Sequence, residues 1–141
     1  MPSTLIRLMI EQQDYPVVDT TTLDDFLQAQ PHSVLFFTGD PKKYPESDDV
    51  AVILPELAAH FAGRFRVAVV AREAEEALQQ RFPFSSWPAL VFLRGEHYLG
   101  AITRVQNWSD YLGEIERLLG AEALHLRGVG IPVIATGVVQ G

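Results

Sequence analysis

Apolar positions along this chain alternate between two patterns. Val34-Leu35-Phe36-Phe37, Val67-Ala68-Val69-Val70 and Ala89 to Leu93 are unbroken apolar runs with the length and composition of strands covered on both faces. Between the first two, Val50, Ile53, Leu54, Leu57, Ala58 and Phe61 recur at three- and four-residue spacing, one stripe of a helix. That helix is predicted to begin near Ser47 and to close at Gly63, with Pro55 kinking it by removing one backbone bond. A Gly/Asp/Pro/Lys loop, Gly39 to Lys43, joins the first strand to it.

Around this centre the remaining elements follow in order. Leu5 to Gln13 reads as a short helix with Leu5, Leu8 and Met9 inward, ended by Asp14-Tyr15-Pro16. Val17-Val18 is a brief strand. Thr22 has the character of an N-cap, with Asp25 in the first turn of a helix that buries Leu23, Phe26 and Leu27 and stops before Pro31. Glu73 to Phe82 reads as a helix with Ala74, Ala77 and Leu78 inward, leaving Glu73, Glu75 and Glu76 as a solvated face. Gly95 suits a tight turn from the Ala89 strand into an antiparallel return over His97 to Ile102. Asn107 caps a last helix whose inward face is Tyr111/Leu112, Ile115 and Leu118/Leu119, and Gly120 is expected to end it.

The length, 141 residues, suits one domain, assigned to residues 1–120, followed by a Gly/Val-rich tail over 121–141 with no assigned structure. Its apolar residues, Ile131, Val133, Ile134, Val138 and Val139, suit either a sheet edge or a partner. Acidic residues outnumber basic ones 18 to 11, for a net charge of −7. That balance argues against nucleic acid as a partner. With no cysteine, disulfides, thiol redox chemistry and thiolate metal sites are excluded. His32, His60, His97 and His125 lack ligand spacing, so neither a metal nor a cofactor is expected. Leu5 to Ile10, broken by Arg7, is not read as a signal peptide, and no run is apolar enough to insert in a membrane. The expected location is cytoplasmic.

Two crossover units, a hairpin and a final helix make a βαβαββα order, preceded by an extra N-terminal helix. This resembles the thioredoxin-like arrangement: α/β, a mixed central sheet with helices on both faces. Trp87-Pro88 resembles the cis-proline turn of that superfamily, Arg94-Gly95-Glu96 its hairpin turn, and Pro55 the proline of its long helix. Counting back from Pro55 places Ser47 and Val50 where the two thiols would stand. A hydroxyl stays protonated at a helix start unless a base activates it, and no histidine lies near Ser47 in sequence. The redox site is therefore read as removed and no catalytic residue is assigned.

A narrower resemblance rests on Phe36 to Pro41 (FFTGDP), Pro45 to Leu57 (PESDDVAVILPEL) and Trp87 to Phe92 (WPALVF). Together these are similar to the HupG/HyaE-type hydrogenase expression/formation proteins, from about Leu5 to Leu119. The resemblance implies a non-catalytic maturation chaperone for a membrane-bound uptake nickel–iron hydrogenase. Its implied partner is the small subunit precursor with its twin-arginine signal peptide, alongside other maturation proteins. The residue chemistry suits that role, since Asp40 to Glu56 holds five carboxylates against two lysines and guanidinium groups pair with carboxylates. The candidate peptide site is Tyr44, Glu46, Ser47, Asp48, Asp49, Trp87 and Pro88. Two other readings stay open. One is a glutathione-binding enzyme domain; the other is a peptide-binding or dimerising scaffold, including a homodimer.

Overall fold

The computed structural model describes residues 3–130, with side chains placed for residues 3–120. Five helices and five strands follow one another as α1 (Thr4–Gln13), β1 (Val17–Val18), α2 (Leu23–Gln28), β2 (His32–Phe37), α3 (Glu46–His60), β3 (Arg66–Val70), α4 (Glu75–Arg81), β4 (Ala89–Arg94), β5 (His97–Thr103) and α5 (Trp108–Gly130). A 3-10 turn, Arg72–Ala74, leads into α4. The strands form one mixed sheet in the order β1-β3-β2-β4-β5. β2 pairs in parallel with β3 and antiparallel with β4, so it is central and covered on both faces. This is the α/β architecture implied by the sequence resemblance.

Successive side chains of a strand point to opposite faces, and β2 therefore feeds two cores. Val34 and Phe36 pack with Ile6 and Met9 of α1, Val50, Leu54 and Leu57 of α3, and Tyr111, Ile115 and Leu118 of α5. Leu35 and Phe37 pack with Leu23, Phe26 and Leu27 of α2 and Leu78 of α4. The stripe read from the sequence on α3 is inward, with Val50, Leu54, Leu57 and Phe61 buried and Ile53 and Ala58 packed at its margin. Asn107 caps α5 as expected, its Oδ1 accepting from the Asp110 amide at 2.9 Å.

Several local expectations are corrected. α1 buries Ile6 and Met9, whereas Leu5 and Leu8 are more than 40% exposed. The Ser3 hydroxyl accepts from the Ile6 amide and donates to the Asp48 carboxylate of α3, and that double tie fixes the rotation of α1. At α2 Thr22 is the N-cap residue as expected, but its side chain makes no capping bond into the helix, and Asp19 organises the turn before it. Its Oδ1 accepts from the amides of Thr21 and Thr22, while the Thr22 hydroxyl accepts from the Asp19 amide. Bonds from the Thr21 hydroxyl and amide hold the Asp19 carboxyl below its ordinary range. α5 runs through Gly120 to Gly130, because one glycine costs only about 1 kcal/mol in a helix and Ala-Glu-Ala-Leu follows. The apolar residues expected to serve a partner or sheet edge, 131–141, lie outside the described residues. In α4, Ala77 is exposed and Glu75 is buried, the reverse of the sequence reading.

Among the described residues no helix is long and apolar enough to cross a membrane.

Because Ile115 is fully buried between α5 and the sheet, Ile115→Ala is expected to destabilise the domain by about 2–5 kcal/mol in urea denaturation. Leu8→Ala, on the exposed side of α1, is expected to stay within about 0.5 kcal/mol of the parent.

Candidate functional site

At the carboxyl end of β2 the chain turns through Thr38 and Gly39 into a tight loop. The Asp40 carbonyl accepts from the amides of Lys43 and Tyr44 at 3.0 and 2.7 Å, and its side chain accepts from the Lys42 amide at 3.0 Å. This closed turn presents Lys43 and Tyr44 at the start of α3. Opposite lies the Ser85-Ser86-Trp87-Pro88 turn before β4, with a cis peptide bond between Trp87 and Pro88. Between them is an open groove of about 530 Å³, lined by Lys43, Tyr44, Pro45, Glu46, Ser85, Ser86, Trp87 and Arg104.

An aromatic series runs from this groove into the core. Tyr44 stacks on Trp87 with ring centroids 5.8 Å apart, Trp87 meets Phe84 edge-on at 4.9 Å, and Phe84 lies 4.8 Å from buried Phe37. The Lys43 ammonium sits 5.8 Å from the Tyr44 ring centroid. Gly39 is required at the crossing point. Its φ is +68°, and a Cβ there would come within 2.6 Å of Trp87 Cδ1 and 2.7 Å of Tyr44 Cδ2.

The sequence-derived site residues divide by position. Tyr44, Glu46 and Trp87 line the groove, and Pro88 is buried directly behind Trp87. Ser47 is fully buried and its hydroxyl donates to the Tyr44 carbonyl at 2.9 Å, so its oxygen faces into the helix start rather than the groove. Asp48 accepts from Ser3 and serves the α1–α3 contact. Asp49 is exposed. The five clustered carboxylates of the sequence therefore do not converge: Glu46 alone among them lines the groove, beside the cations Lys43 and Arg104.

Arg104 and Glu75 carry the geometry, and the sequence reading assigned neither to the site. Arg104 adopts a left-handed conformation, φ +63°, its amide donating to the Pro88 carbonyl at 2.7 Å. Its guanidinium reaches across to Glu46 at 3.2 Å. The Tyr111 hydroxyl donates to the Arg104 carbonyl at 3.4 Å. Burial, with smaller contributions from Asp49 and Glu46, raises the Tyr111 phenol above its ordinary value and keeps it a donor. Glu75 has a side chain only 3% exposed. It accepts from the Gly39 amide at 3.1 Å, the Trp87 indole N–H at 3.2 Å and Arg72 at 2.7 Å. Arg72 thus pairs from a partly exposed position with a glutamate that is itself buried. Among the described residues no group of three or more His, Cys, Asp or Glu could hold a metal ion.

Gly39→Ala is expected to destabilise the protein by about 1–3 kcal/mol in thermal or chemical denaturation, since both φ and space oppose a methyl group. Gly63→Ala, where the added carbon meets nothing within 4 Å, carries the backbone penalty alone and is expected to cost less.

Comparisons with known proteins converge on one group. Residues 5–111 match the family model for hydrogenase-1 expression protein HyaE. The chain is 48% identical over 118 residues to the hydrogenase expression/formation protein HoxO of Azotobacter vinelandii, covering 84% of this chain and 79% of that one. It is 42% identical over 138 residues to HupG of Rhizobium leguminosarum bv. viciae, covering 95% and 93%. A crystal structure described as hydrogenase expression/formation protein hupG from Rhodopseudomonas palustris superposes with a TM-score of 0.55 at 42% identity, covering 77% of this chain and 97% of that one. A thioredoxin mutant from Halobacterium salinarum superposes with a TM-score of 0.59 at 18% identity, covering 73% and 87%, a likeness of fold alone. The thioredoxin-like fold, the matched segment and the level of identity place this chain in the HyaE/HupG/HoxO family of hydrogenase expression/formation proteins.

Proposed function

We propose that this protein is a non-catalytic chaperone in the cytoplasmic maturation of a membrane-bound uptake nickel–iron hydrogenase. It holds the small subunit precursor through an extended segment of the twin-arginine signal peptide, laid between the start of α3 and the Trp87-Pro88 turn. The observation that carries this reading is the pairing of an open groove with an inward-turned Ser47. The groove beside the helix start is about 530 Å³, while the hydroxyl at that helix start is buried and already donating to a carbonyl. Recognition remains where a nucleophile would otherwise act. The same burial disfavours a glutathione-binding enzyme, which needs a hydroxyl facing its thiol.

Tyr44 and Trp87 give the segment an aromatic wall, Pro88 holds that wall's turn, and Glu46 offers the carboxylate. Ser47 and Asp48 act indirectly by fixing the helix start, and Asp49 adds negative field from the surface. An incoming guanidinium takes Glu46 in exchange for Arg104. Both members of that pair are substantially exposed, so it is worth no more than about 1 kcal/mol and yields readily. Basic residues of a signal peptide also meet a chain of net charge −7, which favours encounter at low salt.

A synthetic twin-arginine signal peptide from the cognate small subunit is expected to bind in calorimetry with an affinity that falls as salt rises. Glu46→Gln is expected to weaken it by about 1–3 kcal/mol. Arg104→Gln, which releases Glu46, is expected to leave it equal or tighter. An unchanged affinity in Glu46→Gln would remove the groove from this account; no binding by the parent protein would remove the signal peptide.

A further inference from the structure

Among the described residues one carboxylate, that of Glu75, is buried and unused by the proposed function. Glu75 enters the site from α4, more than thirty residues after the loop it holds. One oxygen accepts from the Gly39 amide and the other from both the Trp87 indole and Arg72. A carboxylate removed from water needs such compensation, and two of its three donors, the Gly39 amide and the Trp87 indole, belong to the framework of the groove. Gly39 lies against Trp87 and Tyr44 too closely to admit a side chain. Glu75 therefore fixes the two parts whose contact forms the aromatic wall.

We infer that Glu75 is the positioning residue of the groove, and that by engaging the Trp87 indole N–H it determines what the wall recognises. This rests on the reading of the groove as the partner site and adds to it the chemistry of the contacting group. With its N–H turned to Glu75, Trp87 offers the groove ring carbon and π surface rather than a donor. Tyr44 stacked beside it extends the same surface. The Trp87 part of the wall therefore favours a guanidinium or an aliphatic side chain and itself gives no hydrogen bond to a carboxylate, amide or hydroxyl placed against it. Arg72 balances the charge of Glu75 from the solvent side, so the clamp holds without a ligand.

The test uses the full-length protein and its two tryptophans, Trp87 and Trp108, the second 43% exposed. In the parent protein, the Trp87 indole proton is expected to exchange with solvent at least about tenfold more slowly than that of Trp108 in nitrogen–proton NMR spectra. Equal exchange rates would overturn the inference, whatever any variant does. In a Trp108→Phe background, Glu75→Gln replaces one acceptor oxygen by a donor amide and should raise acrylamide quenching of Trp87 about twofold or more. The same change should weaken the twin-arginine peptide about tenfold and lower discrimination between that peptide and one with both arginines replaced by glutamine. Folded Glu75→Gln with unchanged Trp87 quenching and unchanged discrimination would overturn it. The exchange and quenching measurements need no peptide, so failure of the parent protein to bind leaves the positioning role still decided.

Discussion

The fold depends on one strand being unable to face water on either side. Val34 to Phe37 are all fully buried, with alternate residues assigned to opposite cores. Covering both faces requires helices above and below, and parallel pairing with β3 requires the intervening crossover that contains α3. Antiparallel pairing with β4 then brings Phe37 opposite Ala89. That register delivers Trp87-Pro88 to the carboxyl end of β2, against the loop that begins α3. The groove is thus a by-product of the way the central strand is satisfied, with its two walls on neighbouring strand ends.

Much of this was legible because it rests on periodicity. The apolar runs gave β2, β3 and β4, and the stripe from Val50 to Phe61 gave the inward face of α3. Much of what differs shares a physical cause: a distant partner, or a run of neighbours, overrides the local signal. Leu5 and Leu8 look as core-forming as Ile6, and the tie from Ser3 to Asp48, forty-five residues away, goes with the rotation that buries Ile6 and Met9 instead. Gly120 resembles a stop signal, yet the strong helix formers after it carry α5 onward.

Glu75 is the most instructive case. Within Glu73-Ala74-Glu75-Glu76 a solvated face is the sound reading, because carboxylates rarely leave water without several donors. The donors here come from Gly39, Trp87 and Arg72, and two of those three are remote in sequence. One signal was present, since Arg72 three residues before Glu75 suits an ion pair. Nothing in the sequence said that the pair would be drawn inward. The candidate site was legible to the same extent: Tyr44, Glu46 and Trp87 were placed together, whereas Arg104 and Glu75 were found only through pairing across the fold.

The dispersion of these contributors along the chain has a consequence for when the protein becomes competent. Glu75 bonds backwards to Gly39 and forwards to Trp87, and Arg104 from the end of β5 closes against both Pro88 and Glu46. Neither half of the domain carries both walls of the groove, and a chain that ends before Arg104 lacks the group that closes it against Glu46. Completing the groove is thereby coupled to completing the tertiary structure, because no short stretch of the chain carries all of its contributors.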